Sequence, residues 1–157
     1  FADKALERIA KYGDGYFGDD KLCDRYKAKL SALGKDPSMA RVRIPGLFLV
    51  VAHDPGQAME ELAPHYHYVN NAYGAWANED KAFGSETATL KPMTMEQFKA
   101  SGIVQILTPG EAIDRFKAMQ ARMPIEHIMM AMPAGLAPAK FVKYAEVFAR
   151  EVIPAFR

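Results

Sequence analysis

His53 and Asp54 are the neighbours best placed to do chemistry in this sequence. They follow the apolar run Leu47 to Val51, the strongest strand signal in the chain. The C-terminal end of a strand is where α/β proteins gather their active groups. Asp54 has a competing duty, because with Pro55, Gly56 and Gln57 it forms a helix start: a capping Asp, a proline at the first helical position and a capping-box glutamine. His53 therefore stands as a substrate-lining residue, and no residue is assigned as catalytic. Three further residues join it on the same reasoning. Met132 and Pro133 close the apolar run Glu126 to Met132 and would line a flat apolar pocket, and Tyr16, on a very short strand, would do likewise. All four end or follow strands, and parallel strands present their C-terminal ends on one rim.

The other reactive side chains read as structural. His65 and His67 are two residues apart, so on a helix they point to different sides and cannot share a metal as an i, i+4 pair could. His127 begins a strand, away from the functional rim. Cys23 has no CxxC partner and sits on an amphipathic helix as a buried thiol. No glycine-rich phosphate loop, nucleophile elbow, paired carboxylates or metal-ligand spacing is visible.

The elements that must hold these residues are written in local signals. Asp3 to Tyr12 is an amphipathic helix ended by Gly13. Asp14 to Gly18 is a very short strand. Asp19 or Asp20 caps a helix carrying Leu22, Cys23, Tyr26, Leu30 and Leu33 up to Gly34. Val42 to Ala52 predicts one long strand with Pro45 and Gly46 at its beginning, because a proline inside a central strand deletes a ladder bond. The helix after Asp54 runs through Leu62 and continues, kinked at Pro64, to about Val69. Residues 70–85, with Tyr73, Trp76 and Phe83, have no firm period and form a partly helical, aromatic-rich insertion. Thr94 caps a short helix ended by Gly102, and Thr108-Pro109-Gly110-Glu111 opens another that Pro124 stops. Glu126 to Met132 predicts a strand buried on both faces. Pro138 starts a final helix with Phe141, Tyr144, Ala145, Phe148, Val152 and Ile153 inward. Three strands alternating with helices predict a parallel α/β arrangement in a single partial domain, 1–157.

Composition narrows the classes. Half of the 157 residues are apolar, a quarter are charged and the formal charge is +1, which gives no electrostatic reason to expect nucleic acid or a membrane surface. One cysteine excludes an internal disulfide and fits a reducing, cytoplasmic compartment. The chain starts with Phe1 and is almost at once in a helical pattern, which suggests a fragment or a processed product.

Two segments resemble the luciferase-like flavin- and F420-dependent monooxygenases. The stretch from Ala5 to Phe17, ALERIAKYGDGYF, is similar to that family's helix leading into a short GDG-aromatic strand. The stretch from Leu107 to Phe156 is similar to its C-terminal end: a TP-E helix start, a strand ending in proline and a closing helix ending Glu151-Val152-Ile153-Pro154. The resemblance implies an α/β fold, the C-terminal half of a (β/α)8 TIM barrel, with about three parallel strands and flanking helices. It implies an oxidoreductase that oxidises a small organic substrate with oxygen and reduced flavin, FMN or alternatively F420. The family's flavin-phosphate loop would lie before Phe1, so the isolated chain is expected to be inactive, and to self-associate or to bind the missing N-terminal half. The alternative is a non-catalytic half-barrel acting as a binding or interaction module.

Overall fold

A computed structural model describes residues 3–82 and 90–157. Phe83 and the end of the expected insertion lie outside the described residues. The chain divides into two compact units, Phe1–Gly46 with Asp114–Met129, and Leu47–Ile113 with Met130–Arg157.

The first unit contains α1 (Asp3–Tyr12), β1 (Tyr16–Phe17), α2 (Cys23–Ala32), β2 (Val42–Gly46), most of α5 (Pro109–Arg122) and β5 (Ile125–Met130). Asp19 accepts from the Lys21 amide and opens the short 3₁₀ turn that leads into α2. The strand order is β1-β2-β5, and β1 runs parallel to β2 with Tyr16 opposite Val42 and Phe17 opposite Arg43. Alternation then decides the two faces. Tyr16, Val42 and Ile44 are buried, in a unit whose core also holds Leu6, Ala10, Cys23, Tyr26 and Leu30. Phe17, Arg41 and Arg43 are exposed.

β5 departs from expectation. It was expected to be buried on both faces, yet none of its six residues is fully buried, and Met129 is 46% exposed. β5 stands at one end of the strand order, so among the described residues it has a neighbouring strand on one side only. Its Glu126 faces Arg41 and Arg43, at 2.5 Å and 3.5 Å from their Nε atoms.

The second unit is built around α3 (Pro55–Ala82), a continuous 28-residue helix that carries Pro64 in its interior. Its inner stripe, Ala58, Leu62, Ala63 and Tyr66, packs with Val50, Ala52, Phe98, Val104 and Leu136. Each large side chain fully buried there contributes roughly 1.5–3 kcal/mol. Farther along α3, Tyr73 and Trp76 are exposed and meet edge to face, 5.2 Å between ring centres. The helix also grips the extended segment ahead of α4 (Met95–Ala100). Asn70 donates to the Lys91 carbonyl, Asn71 both donates to and accepts from the Met93 backbone, and His67 lies 2.7 Å from the Met93 carbonyl. The Asn71 amide nitrogen lies 3.1 Å from the same His67 Nε2, so the imidazole and Asn71 meet at the Met93 carbonyl.

The long strand expected over Val42 to Ala52 is two. Pro45 and Gly46 close β2, and β3 (Leu49–Val51) starts afresh, paired in parallel with β4 (Gln105–Leu107) in a separate two-stranded sheet. β4 was not expected at all. Proline and glycine interrupt the ladder at the end of β2 rather than at its beginning. The α/β expectation, parallel strands flanked by helices, holds, with five short strands among the described residues in place of three. The described strands do not close into a barrel.

Candidate functional site

In the second unit β3 ends at Val51, and the next three residues, Ala52, His53 and Asp54, form one wall of a cleft of about 300 Å³. Asp54 caps α3 as its sequence requires, accepting from the Gln57 amide at 2.9 Å. This fixes the turn that carries His53. The opposite wall comes from α6 (Pro138–Val147), which contributes Lys143, Tyr144 and Val147. The chain then widens into one π-helical turn, Phe148–Val152, and Glu151 on that turn lies 2.9 Å from His53 Nε2. Single π turns inside helices are uncommon and occur often at functional sites.

Glu61, one turn beyond Gln57 on α3, is the most heavily bonded group in the cleft. Tyr144 donates its hydroxyl to Glu61 Oε2 at 2.6 Å, and Lys140 lies 3.0 Å from Glu61 Oε1. These bonds, Tyr144 first, hold the Glu61 carboxyl below the usual glutamate range. The tyrosine is affected in the opposite sense. Burial, then the bond to Glu61, pushes the Tyr144 hydroxyl well up, so it stays protonated and remains a donor at neutral pH.

The arrangement offers an imidazole beside a carboxylate, a fixed phenol and the ammonium of Lys143 around small apolar surfaces at Ala52, Ala58 and Val147. Such a cleft can orient a small polar-tipped molecule and exchange a proton with it at His53. Among the described residues no group of three or more His, Cys, Asp or Glu could hold a metal ion.

The other sequence candidates fall elsewhere. Tyr16 belongs to the first unit, where its ring is buried and stacked on Tyr26 at 5.4 Å, and its hydroxyl donates to the Asp19 carbonyl. Burial raises that hydroxyl to about 12. Pro133 is buried, and its carbonyl accepts from the Leu136 amide in the turn after β5. Met132 is 47% exposed beside it. None of these three lines the His53 cleft. His65 and His67 diverge as their spacing requires, His65 meeting the Ala134 carbonyl and His67 the Met93 carbonyl.

Sequence reasoning missed Glu61, Lys143 and Glu151. A signal existed for Tyr144, since a tyrosine on an inward helix face needs a partner for its hydroxyl. Lys140, Tyr144, Val147 and Glu151 also recur at helical spacing.

The chain superposes on the crystal structure of a long-chain alkane monooxygenase (LadA) with a TM-score of 0.58, at 15% sequence identity. The match covers 98% of this chain and 38% of that one. The likeness is one of fold. No family model matches the sequence, and no curated protein does.

The resemblance places the flavin-phosphate loop before Phe1, and this cleft does not suit a phosphate either. Asp54 and Glu61 stand in its wall, with Glu151 beside His53. Lys140 and His53 are already paired to two of these carboxylates, which leaves Lys143 as the cation for a dianion. The glycines with positive φ among the described residues are Gly34, Gly102 and Gly135, and none lines the cleft. No nest of backbone N–H groups is therefore built there by left-handed glycines.

Proposed function

We propose that this chain is part of a luciferase-like monooxygenase, the C-terminal half of a (β/α)8 barrel. The enzyme oxidises a small organic substrate with oxygen and reduced flavin, FMN in preference to F420. One observation carries the reading: the fold likeness to an alkane monooxygenase extends over 98% of the chain. The sequence adds a second support in the order and spacing of the GDG-aromatic segment, the TP-E helix start and the closing Glu151-Val152-Ile153-Pro154. In this reading the His53 cleft and the tip of β5 at Met132 and Pro133 meet the substrate or its path, and the flavin phosphate is held elsewhere in the enzyme. The protein works in the cytoplasm. The chain assembles either with a second copy or with the polypeptide that supplies the N-terminal half.

A second reading, a half-barrel that binds without catalysing, is supported by the cleft itself, whose lining offers polar groups around apolar surface for a small molecule without a cofactor. The two readings separate in one assay. The reading frame that encodes this chain is expressed at its full length and given reduced FMN or reduced F420. Oxygen uptake and product formation are then followed with n-alkanes and aldehydes of increasing length. Substrate-dependent oxygenation with FMN supports the enzyme. Absence of oxygenation with either cofactor overturns it in favour of the binding module.

A further inference from the structure

The exposed face of the first sheet carries two arginines braced by one acid. Arg41 gives its Nε to Glu126 Oε1 at 2.5 Å, and Arg43 Nε lies 3.5 Å from Glu126 Oε2. That pairing draws the Glu126 carboxyl below its ordinary range and lifts the Arg41 guanidinium. Among the described residues neither guanidinium makes another ion pair or hydrogen bond, so the terminal nitrogens of both stay open to a ligand. Beside them, directly opposite Arg43 in the ladder, the Phe17 side chain is 52% exposed. A cleft of about 290 Å³ spans these residues, with Asp14 and Gly15 at its margin. Gly15 lets the backbones approach closely at this margin: a Cβ there would stand 2.9 Å from the Arg41 carbonyl oxygen.

We propose that this face binds a small planar carboxylate, with Arg41 and Arg43 as a forked anion clamp and Phe17 as the surface on which the flat body lies. Guanidinium forks match carboxylates in a bidentate manner that an ammonium does not. Glu126 offsets one of the two positive charges and fixes both side chains by their Nε atoms, which lowers the entropy lost when a ligand is clamped. Asp14 opposes an anion, so charge alone does not select the ligand. The aromatic floor makes a flat carboxylate a better fit than a compact anion such as phosphate. The proposal needs neither flavin nor the His53 cleft, and its outcome is independent of the oxygenase assay.

The test titrates benzoate into the isotope-labelled 157-residue chain and follows amide and arginine side-chain resonances. Saturating shifts at Gly15, Phe17, Arg41 and Arg43 at millimolar benzoate, with weaker response to inorganic phosphate, support the site. Arg43→Lys keeps the charge and loses the fork, and should weaken benzoate roughly tenfold. Asp14→Asn removes the opposing charge and should tighten it several-fold, roughly. Arg43 lies on an exposed face, and an unchanged spectrum away from the site establishes that the variant is folded. The proposal is overturned if no saturation occurs at these residues, if Arg43→Lys binds like the parent, or if phosphate binds as well as benzoate.

Discussion

The Tyr144 hydroxyl donates to Glu61 Oε2 across 2.6 Å, tying α6 to the second turn of α3. The acceptor is ionised, so the bond is charge-assisted and stronger than a neutral one. Glu61 is one-third exposed, which reduces the gain. Tyr144→Phe should cost about 1 kcal/mol in urea unfolding at neutral pH. The pH dependence follows from the lowered Glu61 carboxyl. Between the folded value and the ordinary glutamate value the unfolded chain binds more protons, so stability rises with pH there. The contribution is present above the ordinary glutamate range and is lost as pH falls through the folded value. Tyr144→Phe should flatten the stability slope between roughly pH 3 and 5. An unaltered slope would show that Tyr144 does not hold the charge on Glu61.

Gly74 tests how α3 grips the segment before α4. A Cβ at this position would lie 2.7 Å from Pro92 Cδ and 2.9 Å from the Lys91 carbonyl carbon. Alanine normally gains about 1 kcal/mol over glycine in a helix interior. Here the clash falls largely on a proline ring and backbone, which cannot swing away. Gly74→Ala should therefore lower stability by about 1–3 kcal/mol, the usual cost of overpacking. Gly110, in the first turn of α5, has nothing within 4 Å of its Cβ position. Gly110→Ala is the control, and its melting temperature should hold or rise. Equal behaviour of the two variants would remove the grip from the account of α3.

Cys23 is fully buried, and desolvation first of all pushes its thiol up to about 11. At pH 8 the thiolate is then on the order of one part in a thousand, and it is the thiolate that reacts. Native protein should react with an aromatic disulfide reagent many times more slowly than protein in denaturant. A native rate matching a free thiol would place Cys23 outside the core.

Much of the architecture was legible because its determinants are local. Thr94 and Asp54 cap their helices and Thr108 with Glu111 forms a capping box where the sequence put them, and Gln97 completes a second box with Thr94. The extent of α3 was not legible. Residues 70–82 lack a helical period of apolar side chains, and their partners Lys91, Pro92 and Met93 come after them across a loop. β4 is three residues long and is defined by its pairing with β3 rather than by its own composition. The same division applies to the site. His53 was found from its position after a strand, whereas Glu151 and Glu61 meet their partners across long stretches of chain that no local rule connects. Tyr16 shows the converse. Its place on a strand was legible, but strand alternation turned its ring into the core, against Tyr26.

The isolated chain should not bind FMN tightly. Much of a flavin nucleotide's affinity comes from its phosphate dianion, which proteins hold with backbone N–H groups at helix starts, glycine nests and arginines. In the His53 cleft the helix start is already occupied by the Asp54 carboxylate. Glu61 and Glu151 add negative charge close by. In the first unit Arg41 and Arg43 offer a clamp, but Glu126 and Asp14 offset their two charges, so a dianion gains little there. A monoanionic carboxylate loses less, which is why benzoate and FMN are expected to behave differently. Flavin fluorescence measured with micromolar protein should stay close to that of free FMN. Stoichiometric quenching in that range would mean that a phosphate site exists in this chain after all. A mild quenching abolished by Arg43→Ala would instead assign the contact to the face of the first sheet.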